Sequence, residues 1–133
     1  MKKELEKEIF GKYPNLYVDK DVSMQYSLVC FGFDFGDGWY NLVDELSSEL
    51  EKLIIKFKEE FPGEEGFPKA FQMKEKFGSL SFYMMGSTGE MHNVIHEYEK
   101  KSCTTCEYCG GKGEIVGERW LKCLCEKCQE KKS

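Results

Sequence analysis

Six of the seven cysteines in this chain lie within residues 103–128, near its C-terminal end. Four of them form two pairs with two residues inside each pair: Cys106 with Cys109, and Cys125 with Cys128. Because two intervening residues let a tight turn aim both sulfurs of a pair at one ion, two such turns can complete a tetrahedron. The spacing therefore predicts a four-cysteine zinc site, and it limits what this segment can fold into more strongly than any other feature.

The residues between the two pairs predict the rest of this segment, which we call the ribbon (residues 103–133). Gly110 follows Cys109 directly, where the lack of a side chain lets the backbone bend around an ion. Two short strands between the pairs are expected to contain Ile115, Val116, Trp120 and Leu121. Four thiolates leave no coordination position for water, so the Zn²⁺ ion is predicted to be structural and to contribute on the order of 10 kcal/mol to folding.

Other uses of these cysteines fit the pattern less well. Cys103 and Cys106 would also chelate an ion, but that pairing leaves Cys109 without a role, so Cys103 is expected to be an exposed spare thiol. Cys123 is expected to point from the other face of the ribbon hairpin. Disulfides are disfavoured by the odd number of cysteines and by a cytosolic location, where thiols stay reduced. A redox role is disfavoured because a redox cysteine pair expects a strand-to-helix context.

Residues 1–102, which we call the body, show the periodicities of an α+β fold. The run 25–33 is rich in aromatic and β-branched residues and predicts a strand, while residues 69–85 predict a hairpin that turns at Gly78. A hairpin alone is unstable in water, so it needs further strands and a covering helix. The predicted fold class is α+β, with a three-stranded antiparallel sheet packed on a long amphipathic helix and a C-terminal zinc ribbon, residues 103–133, packed on the body.

Three helices are predicted in the body, the longest over residues 39–60. Nine apolar side chains recur at helical spacing and share one stripe: Trp39, Leu42, Val43, Leu46, Leu50, Leu53, Ile54, Phe57 and Phe61. Asp37 is the expected N-cap of this helix, and Glu51 is among the residues expected to face water. Shorter helices are expected over residues 2–10 and from a capping box that begins at Ser87 to the end of the body.

Charge is distributed unevenly along the chain. Residues 1–100 carry a net charge of −7 and residues 101–133 carry +2, which four thiolates with one Zn²⁺ would bring to about zero. An acidic body does not suit a nonspecific DNA-binding protein, which needs a basic patch, but it suits a basic protein partner. Neither a membrane span nor a secretory signal is expected, so the predicted location is the cytoplasm.

The sequence shows no catalytic constellation, so the protein is predicted not to be an enzyme. His92 and His96 stand four residues apart on the third predicted helix, but the glutamate of the zinc-protease motif is missing and both are expected at its exposed boundary. Cys30, inside an apolar run, is expected in the core. Asp34 and Asp37 are explained by turn formation and helix capping.

Four stretches together resemble a widespread set of small, uncharacterised phage, prophage and bacterial proteins. They are Gly36-Asp37-Gly38-Trp39, QMKEKFGSLSFY at residues 72–83, TCEYCG at residues 105–110 and LCEKC at residues 124–128. The Lys-Glu-Lys-Phe-Gly hairpin beside the two cysteine pairs is the most specific part of the likeness, which covers residues 31–128. Members usually carry a basic residue at the position of Ser81 and a threonine at that of Cys123. The resemblance implies a mobile-element origin and a metal-binding ribbon, and it implies no particular activity.

These observations lead to two functional hypotheses. The first is a non-enzymatic, zinc-stabilised binding protein of phage or mobile-element type, which contacts a host protein such as a defence or regulatory factor. The contact face would be helix 39–60 or hairpin 69–85. The alternative is a nucleic-acid-binding transcriptional regulator that uses the zinc ribbon, with Arg119, Trp120 and Lys122 contacting a nucleic-acid backbone or unstacked bases.

Overall fold

The structure is a computed structural model that describes residues 1–21, 29–63 and 67–132. In these ranges the chain forms four α-helices, two 3₁₀ turns at Val29–Phe31 and Asp37–Trp39, and two separate two-stranded antiparallel sheets, β1–β2 and β3–β4. The elements in chain order are α1 (Lys3–Lys12), α2 (Tyr40–Glu60), β1 (Lys69–Lys76), β2 (Ser79–Met85), α3 (Gly89–Ser102), β3 (Glu114–Val116), β4 (Lys122–Leu124) and α4 (Glu126–Lys132). The predicted mixture of helix and sheet is confirmed.

The predicted three-stranded sheet is wrong. Part of the run 25–33 lies outside the described residues, and the described part forms the 3₁₀ turn Val29–Phe31 followed by Gly32 at a φ of 70°. Asp34 makes one isolated parallel bridge to Lys74 of β1. Two apolar side chains of the run still enter the core. A short apolar run signals burial, but its periodicity does not distinguish a strand from a tight turn.

Helix α3 covers the outer edge of β2, where a further strand would otherwise pair. The hydroxyl oxygen of Ser102 accepts a hydrogen bond from the backbone N–H of Leu80 at 2.8 Å. The carboxylate of Glu99 accepts one from the backbone N–H of Phe82 at 3.0 Å. These side chains satisfy the donors that a neighbouring strand would satisfy in a wider sheet. The sheet therefore ends at β2.

The β1–β2 hairpin forms as predicted and turns at Phe77 and Gly78. Their φ values are 54° and 86°, as in the type I′ turn whose twist matches that of two antiparallel strands. Met73, Leu80 and Phe82 are buried on its inner face. The hairpin thus contributes one apolar face to the core of the body.

Helix α2 supplies the centre of that core. Six of the nine residues predicted on its apolar stripe are buried: Trp39, Leu42, Val43, Leu46, Leu50 and Ile54. Leu53 and Phe57 are half-buried, whereas Phe61 lies beyond the end of the helix and is exposed. Helix α3 packs against both α2 and β2 and adds Met91, Ile95 and Tyr98 to the core. The long amphipathic helix is therefore confirmed, and α3 connects it to the hairpin.

Two helices begin differently from the prediction. Asp37 does not cap α2, which begins at Tyr40 without a side-chain cap. The Asp37 carboxylate instead accepts a hydrogen bond from the backbone N–H of Lys2 at 2.8 Å. Helix α3 is capped one residue later than expected, where the Thr88 hydroxyl accepts the backbone N–H of Met91 at 3.3 Å. Asp37 thereby links the start of α1 to the start of α2.

The expectation that Glu51 faces water is also wrong. Glu51 is buried on α2, and its carboxylate accepts three hydrogen bonds from the segment after α1. The donors are the backbone N–H of Leu16 at 2.8 Å, the side-chain amide of Asn15 at 2.9 Å and the backbone N–H of Asn15 at 3.2 Å. A buried carboxylate is tolerated when such donors replace the lost water.

Replacing Glu51 with alanine is expected to lower the free energy of unfolding by about 2–3 kcal/mol, because three N–H donors lose their acceptor. Urea denaturation followed by circular dichroism measures this change. The matched control is Glu59→Ala, which removes an exposed glutamate from the same helix and is expected to cost under about 0.5 kcal/mol. Equal losses in the two variants would contradict a structural role for the Glu51 carboxylate.

Candidate metal centre

The four cysteines selected by their spacing lie together in the ribbon. The Sγ atoms of Cys106, Cys109, Cys125 and Cys128 all lie within 4.8 Å of one another, and those of Cys109 and Cys125 are 3.5 Å apart. Metal–sulfur bonds of about 2.3 Å in a tetrahedron place sulfurs about 3.8 Å apart. The cluster therefore has the size and the donor atoms of a four-thiolate metal site.

The first Cys-x2-Cys turn, which we call the first knuckle, is closed by backbone hydrogen bonds. The N–H of Gly110 donates to the carbonyl oxygen of Cys106 at 2.9 Å, and Gly110 has a φ of 81°, which a residue with a side chain rarely adopts. The N–H of Gly111 donates to the Sγ of Cys109 at 3.4 Å. The role predicted for Gly110 is confirmed by this geometry.

The second knuckle joins a strand to a helix. Strand β4 ends at Leu124, Cys125 follows it, and Cys128 lies in the first turn of α4. Helix α4 was not predicted from the sequence. It places Cys125 and Cys128 at a strand-to-helix junction, which is the context in which redox cysteine pairs occur. The sulfurs of Cys125 and Cys128 are nevertheless clustered with those of the first knuckle. The arrangement is that of a metal site built from both knuckles.

The ionisation of the four thiols is uneven, and this favours a bound cation. Burial works against ionisation of Cys106, but the backbone N–H groups of Cys125, Cys109 and Tyr108 lower its pKa to about 6. The contact with the Cys125 sulfur, and then burial, raise the pKa of Cys128 to about 12. The pKa is lowered for Cys106 and Cys125 and raised for Cys109 and Cys128, so the thiols do not ionise equally. A bound cation would favour the thiolate form of all four because its charge neutralises theirs.

The first knuckle packs directly against two glycines of the body. A methyl group at Gly36 would lie 2.5 Å from the carbonyl oxygen of Glu107, and one at Gly38 would lie 2.3 Å from that of Cys106. The N–H of Gly38 donates to the Glu107 carbonyl at 2.8 Å, and the indole N–H of Trp39 donates to the Thr105 carbonyl at 2.8 Å. Residues 36–39 thus form the surface against which the first knuckle packs.

A partly buried ion cluster adds a second connection between the ribbon and the body. The Glu107 carboxylate accepts the backbone N–H of Gly36 at 3.1 Å and lies 3.3 Å from the ammonium nitrogen of Lys122. Lys122 also lies 3.7 Å from the carboxylate of Glu75, which accepts the backbone N–H of Gly78 at 2.8 Å. Burial acts to lower the pKa of Lys122, but the charges of Glu107 and Glu75 outweigh it and the pKa is raised.

Neither connection was predicted from the sequence. Gly36, Gly38 and Glu107 belong to the stretches that carry the family resemblance, but no structural role was predicted for them. A pair of glycines immediately before Trp39 was the available signal for close backbone approach. What approaches them could not be read from the sequence, because the partner lies about 70 residues further along the chain.

The three cysteines outside the cluster behave differently from one another. Cys123 is buried in the core of the body, and its thiol donates to the carbonyl oxygen of Cys103 at 3.1 Å, so it faces away from the metal cluster. Cys103 is half-buried and contacts the Glu99 carbonyl at 3.6 Å. The prediction that Cys30 lies in the core is wrong, because its side chain is exposed beside a chain reversal at Gly32.

The remaining candidate residues lie outside the four-cysteine cluster. His92 and His96 are exposed on α3, and the ring of His92 hydrogen-bonds the Ser87 hydroxyl at 2.9 Å. Arg119 and Trp120 are exposed on the turn between β3 and β4. Lys122, the third residue of the predicted nucleic-acid contact, pairs with Glu75 and Glu107, and its side chain is 27% exposed.

Comparison of the chain with protein-family models, with curated proteins and with solved structures finds no match. The geometry of the site therefore carries the functional argument by itself. Among the described residues, no helix combines the length and apolar character needed to cross a membrane.

We expect the purified, reduced chain to carry one metal ion, and we expect Cys106→Ser or Cys128→Ser to abolish binding, because a tetrahedral site needs all four sulfurs. Native mass spectrometry and elemental analysis measure the metal content. Cys103→Ser is the matched control, since Cys103 belongs to the same segment but not to the cluster. A metal content lowered by Cys103→Ser and unchanged by Cys106→Ser would contradict the assigned ligand set.

Gly38→Ala is expected to destabilise the protein by about 1–3 kcal/mol, because its methyl group would overlap the Cys106 carbonyl. Thermal unfolding of the metal-loaded protein measures the loss. Gly63→Ala is the control, because a methyl group there has no neighbour within 4 Å. If Gly38→Ala is as stable as Gly63→Ala, the close packing between the knuckle and residues 36–39 does not hold in solution.

Proposed function

We propose that the protein is a non-enzymatic binding protein of phage or mobile-element type, with a ribbon stabilised by structural Zn²⁺, and that it contacts a host protein in the cytoplasm. Zinc is the proposed ion because it prefers four sulfur ligands in a tetrahedron. Cys106, Cys109, Cys125 and Cys128 occupy every position of such a site. No position is left for water or a substrate, which supports a structural and non-catalytic role.

The observation that carries this proposal is an exposed apolar surface where the hairpin turn meets the ribbon. We call Phe77, Ile115 and Trp120 the tip surface; their exposed fractions are 70%, 41% and 86%. The turn and the ribbon are in contact, because a methyl group at Gly78 would lie 3.0 Å from Ile115 Cγ2 and 3.5 Å from the backbone carbon of Lys122. Phe77 and Ile115, from segments far apart in sequence, thus lie beside one contact between the hairpin turn and the ribbon, and Trp120 is exposed on the turn that joins β3 and β4.

The composition of the tip surface supports a protein partner. Tryptophan and arginine dominate the energetically important positions of protein interfaces, and here Arg119 precedes Trp120 on an exposed turn. Large apolar side chains exposed together on a soluble protein commonly mark an interaction site. The net charge of −5 disfavours a nucleic acid, and Lys122 already pairs with Glu75 and Glu107.

The tip surface also explains why the ribbon needs a metal. Strands β3 and β4 contain three residues each, which is too short for independent stability. The two knuckles hold the ends of this hairpin, and the ion cluster of Lys122, Glu75 and Glu107 holds it against the β1–β2 turn. Zn²⁺ would therefore stabilise the relative positions of Ile115, Trp120 and Phe77.

Trp120→Ala is expected to weaken binding of the host partner at least about 10-fold, because a central aromatic side chain commonly contributes more than about 1.4 kcal/mol. The test is affinity capture from host lysate, with recovery of the partner quantified by mass spectrometry. Val18→Ala removes an equally apolar exposed side chain from the body and is the matched control. Recovery that is the same for both variants would overturn the tip surface as the contact site.

Binding to single-stranded nucleic acid is the second candidate, and the exposed Arg119 and Trp120 favour it. An aromatic ring can stack on an unpaired base while an adjacent cation contacts its phosphate. A mobility-shift assay would then show binding that falls steeply with salt and is lost in Arg119→Ala. Absence of a shift at low salt rejects this candidate and leaves the protein partner.

A further inference from the structure

The four sulfurs of the candidate metal centre are not equally protected. Cys106 is completely buried and Cys128 is almost so, whereas Cys109 is exposed and Cys125 is half-exposed. The two accessible residues belong to different knuckles, and their Sγ atoms are 3.5 Å apart. One side of the centre therefore presents to solvent two cysteines whose sulfurs are close enough to react with each other.

We propose that hydrogen peroxide converts Cys109 and Cys125 into a disulfide and thereby abolishes binding of the partner at the tip surface. This inference rests on the proposed zinc-stabilised binding function and adds regulation to it. Accessible thiolates react with peroxide, whereas buried ones are protected. Peroxide reacts first with Cys109 because it is the most exposed of the four clustered cysteines.

The reaction takes two steps. The Cys109 thiolate attacks one oxygen of hydrogen peroxide, the O–O bond breaks, and the sulfur becomes a sulfenic acid while hydroxide takes a proton and leaves as water. The Cys125 thiolate then attacks the Cys109 sulfur, the S–S bond forms, the S–O bond breaks, and a second hydroxide leaves as water after protonation. Two thiolates lose two electrons in total, and hydrogen peroxide gains them.

The disulfide removes the metal ion that stabilises the ribbon. Cys106 and Cys128 are the only two members of the cluster that remain as thiolates, and two sulfurs do not complete a tetrahedral site. Strands β3 and β4 then lose the ion that holds their ends, so Ile115 and Trp120 no longer keep their positions beside Phe77. Oxidation is thereby linked to the binding surface through the metal, without any change to the surface residues themselves.

The cysteines outside the cluster do not form this disulfide. Cys123 is buried in the core of the body, and the Cys103 thiol points to the Glu99 carbonyl. Cys30 is exposed but lies elsewhere on the body, so its oxidation would leave the metal in place. The proposal therefore predicts a single product, a bond between Cys109 and Cys125.

The test treats the full, zinc-loaded chain with hydrogen peroxide in the presence of a zinc-sensitive dye. Samples are blocked with N-ethylmaleimide at intervals, and disulfides are mapped by peptide mass spectrometry. Zinc release and the Cys109–Cys125 disulfide should appear with the same rate, and dithiothreitol with added Zn²⁺ should reverse both. Hydrogen exchange at the amides of β3 and β4 should rise at least about 10-fold with the same time course, because a lost ordering of about 1.4 kcal/mol corresponds to this factor.

A variant that replaces none of the four cysteines tests the point of attack. A methyl group at Gly111 would lie 3.5 Å from the Cys109 Sγ, which is an ordinary contact, so Gly111→Ala covers this sulfur without a clash. Zinc release should slow about 3-fold or more, since reactivity follows access. Gly63→Ala, which has open space around it, should release zinc at the rate of the unchanged protein. Equal rates in both variants would overturn attack at Cys109.

Other products would overturn the proposal. A disulfide within either knuckle, a disulfide that contains Cys103, or oxidation of Cys30 with zinc retained each contradicts it. Failure of the switch differs from failure of the proposed function. A zinc-loaded chain that binds its partner through Trp120 but keeps its zinc in peroxide overturns the switch alone, whereas a reduced chain that folds without metal overturns both.

Discussion

The close packing of the first knuckle on residues 36–39 is the constraint on which the rest of the structure depends. The carbonyl oxygens of Cys106 and Glu107 occupy the space that side chains at Gly38 and Gly36 would fill, and the indole of Trp39 bonds the carbonyl of Thr105. Trp39 is itself completely buried at the start of the core helix. The metal-binding turn and the core of the body are therefore parts of one packed unit.

This contact also determines where the ribbon hairpin lies. Glu107 belongs to the knuckle, and its buried carboxylate positions the ammonium group of Lys122, which also reaches Glu75 beside the hairpin turn. A partly buried ion cluster of this kind adds little net stability, because desolvation offsets the attraction of the charges. Its two ion pairs join β4 to the first knuckle and to the β1–β2 hairpin.

Local patterns predicted the four-cysteine cluster and the β1–β2 hairpin, because the spacing of Cys106 to Cys128 and the turn at Gly78 each define a local geometry. Patterns failed where a distant segment decides the outcome. Glu51 looks like a solvent-facing residue until the segment after α1 brings three donors to it. The run that contains Cys30 looks like a strand, but its described part forms a 3₁₀ turn, and Asp34 just after it makes an isolated bridge to Lys74 of β1. Neither partner can be inferred from residues near the one that it contacts.

The two tryptophans of the chain have opposite surroundings. The indole of Trp39 is enclosed and hydrogen-bonded to the ribbon, whereas that of Trp120 is almost entirely in water. Indole fluorescence shifts to longer wavelength in polar surroundings, so Trp39 is expected to emit at shorter wavelength than Trp120. The emission of Trp39 would report whether the ribbon remains packed on the body. The emission of Trp120 would report whether a partner has covered its exposed ring. The chain thus contains two intrinsic optical probes, one for the packing of the ribbon on the body and one for the binding of a partner.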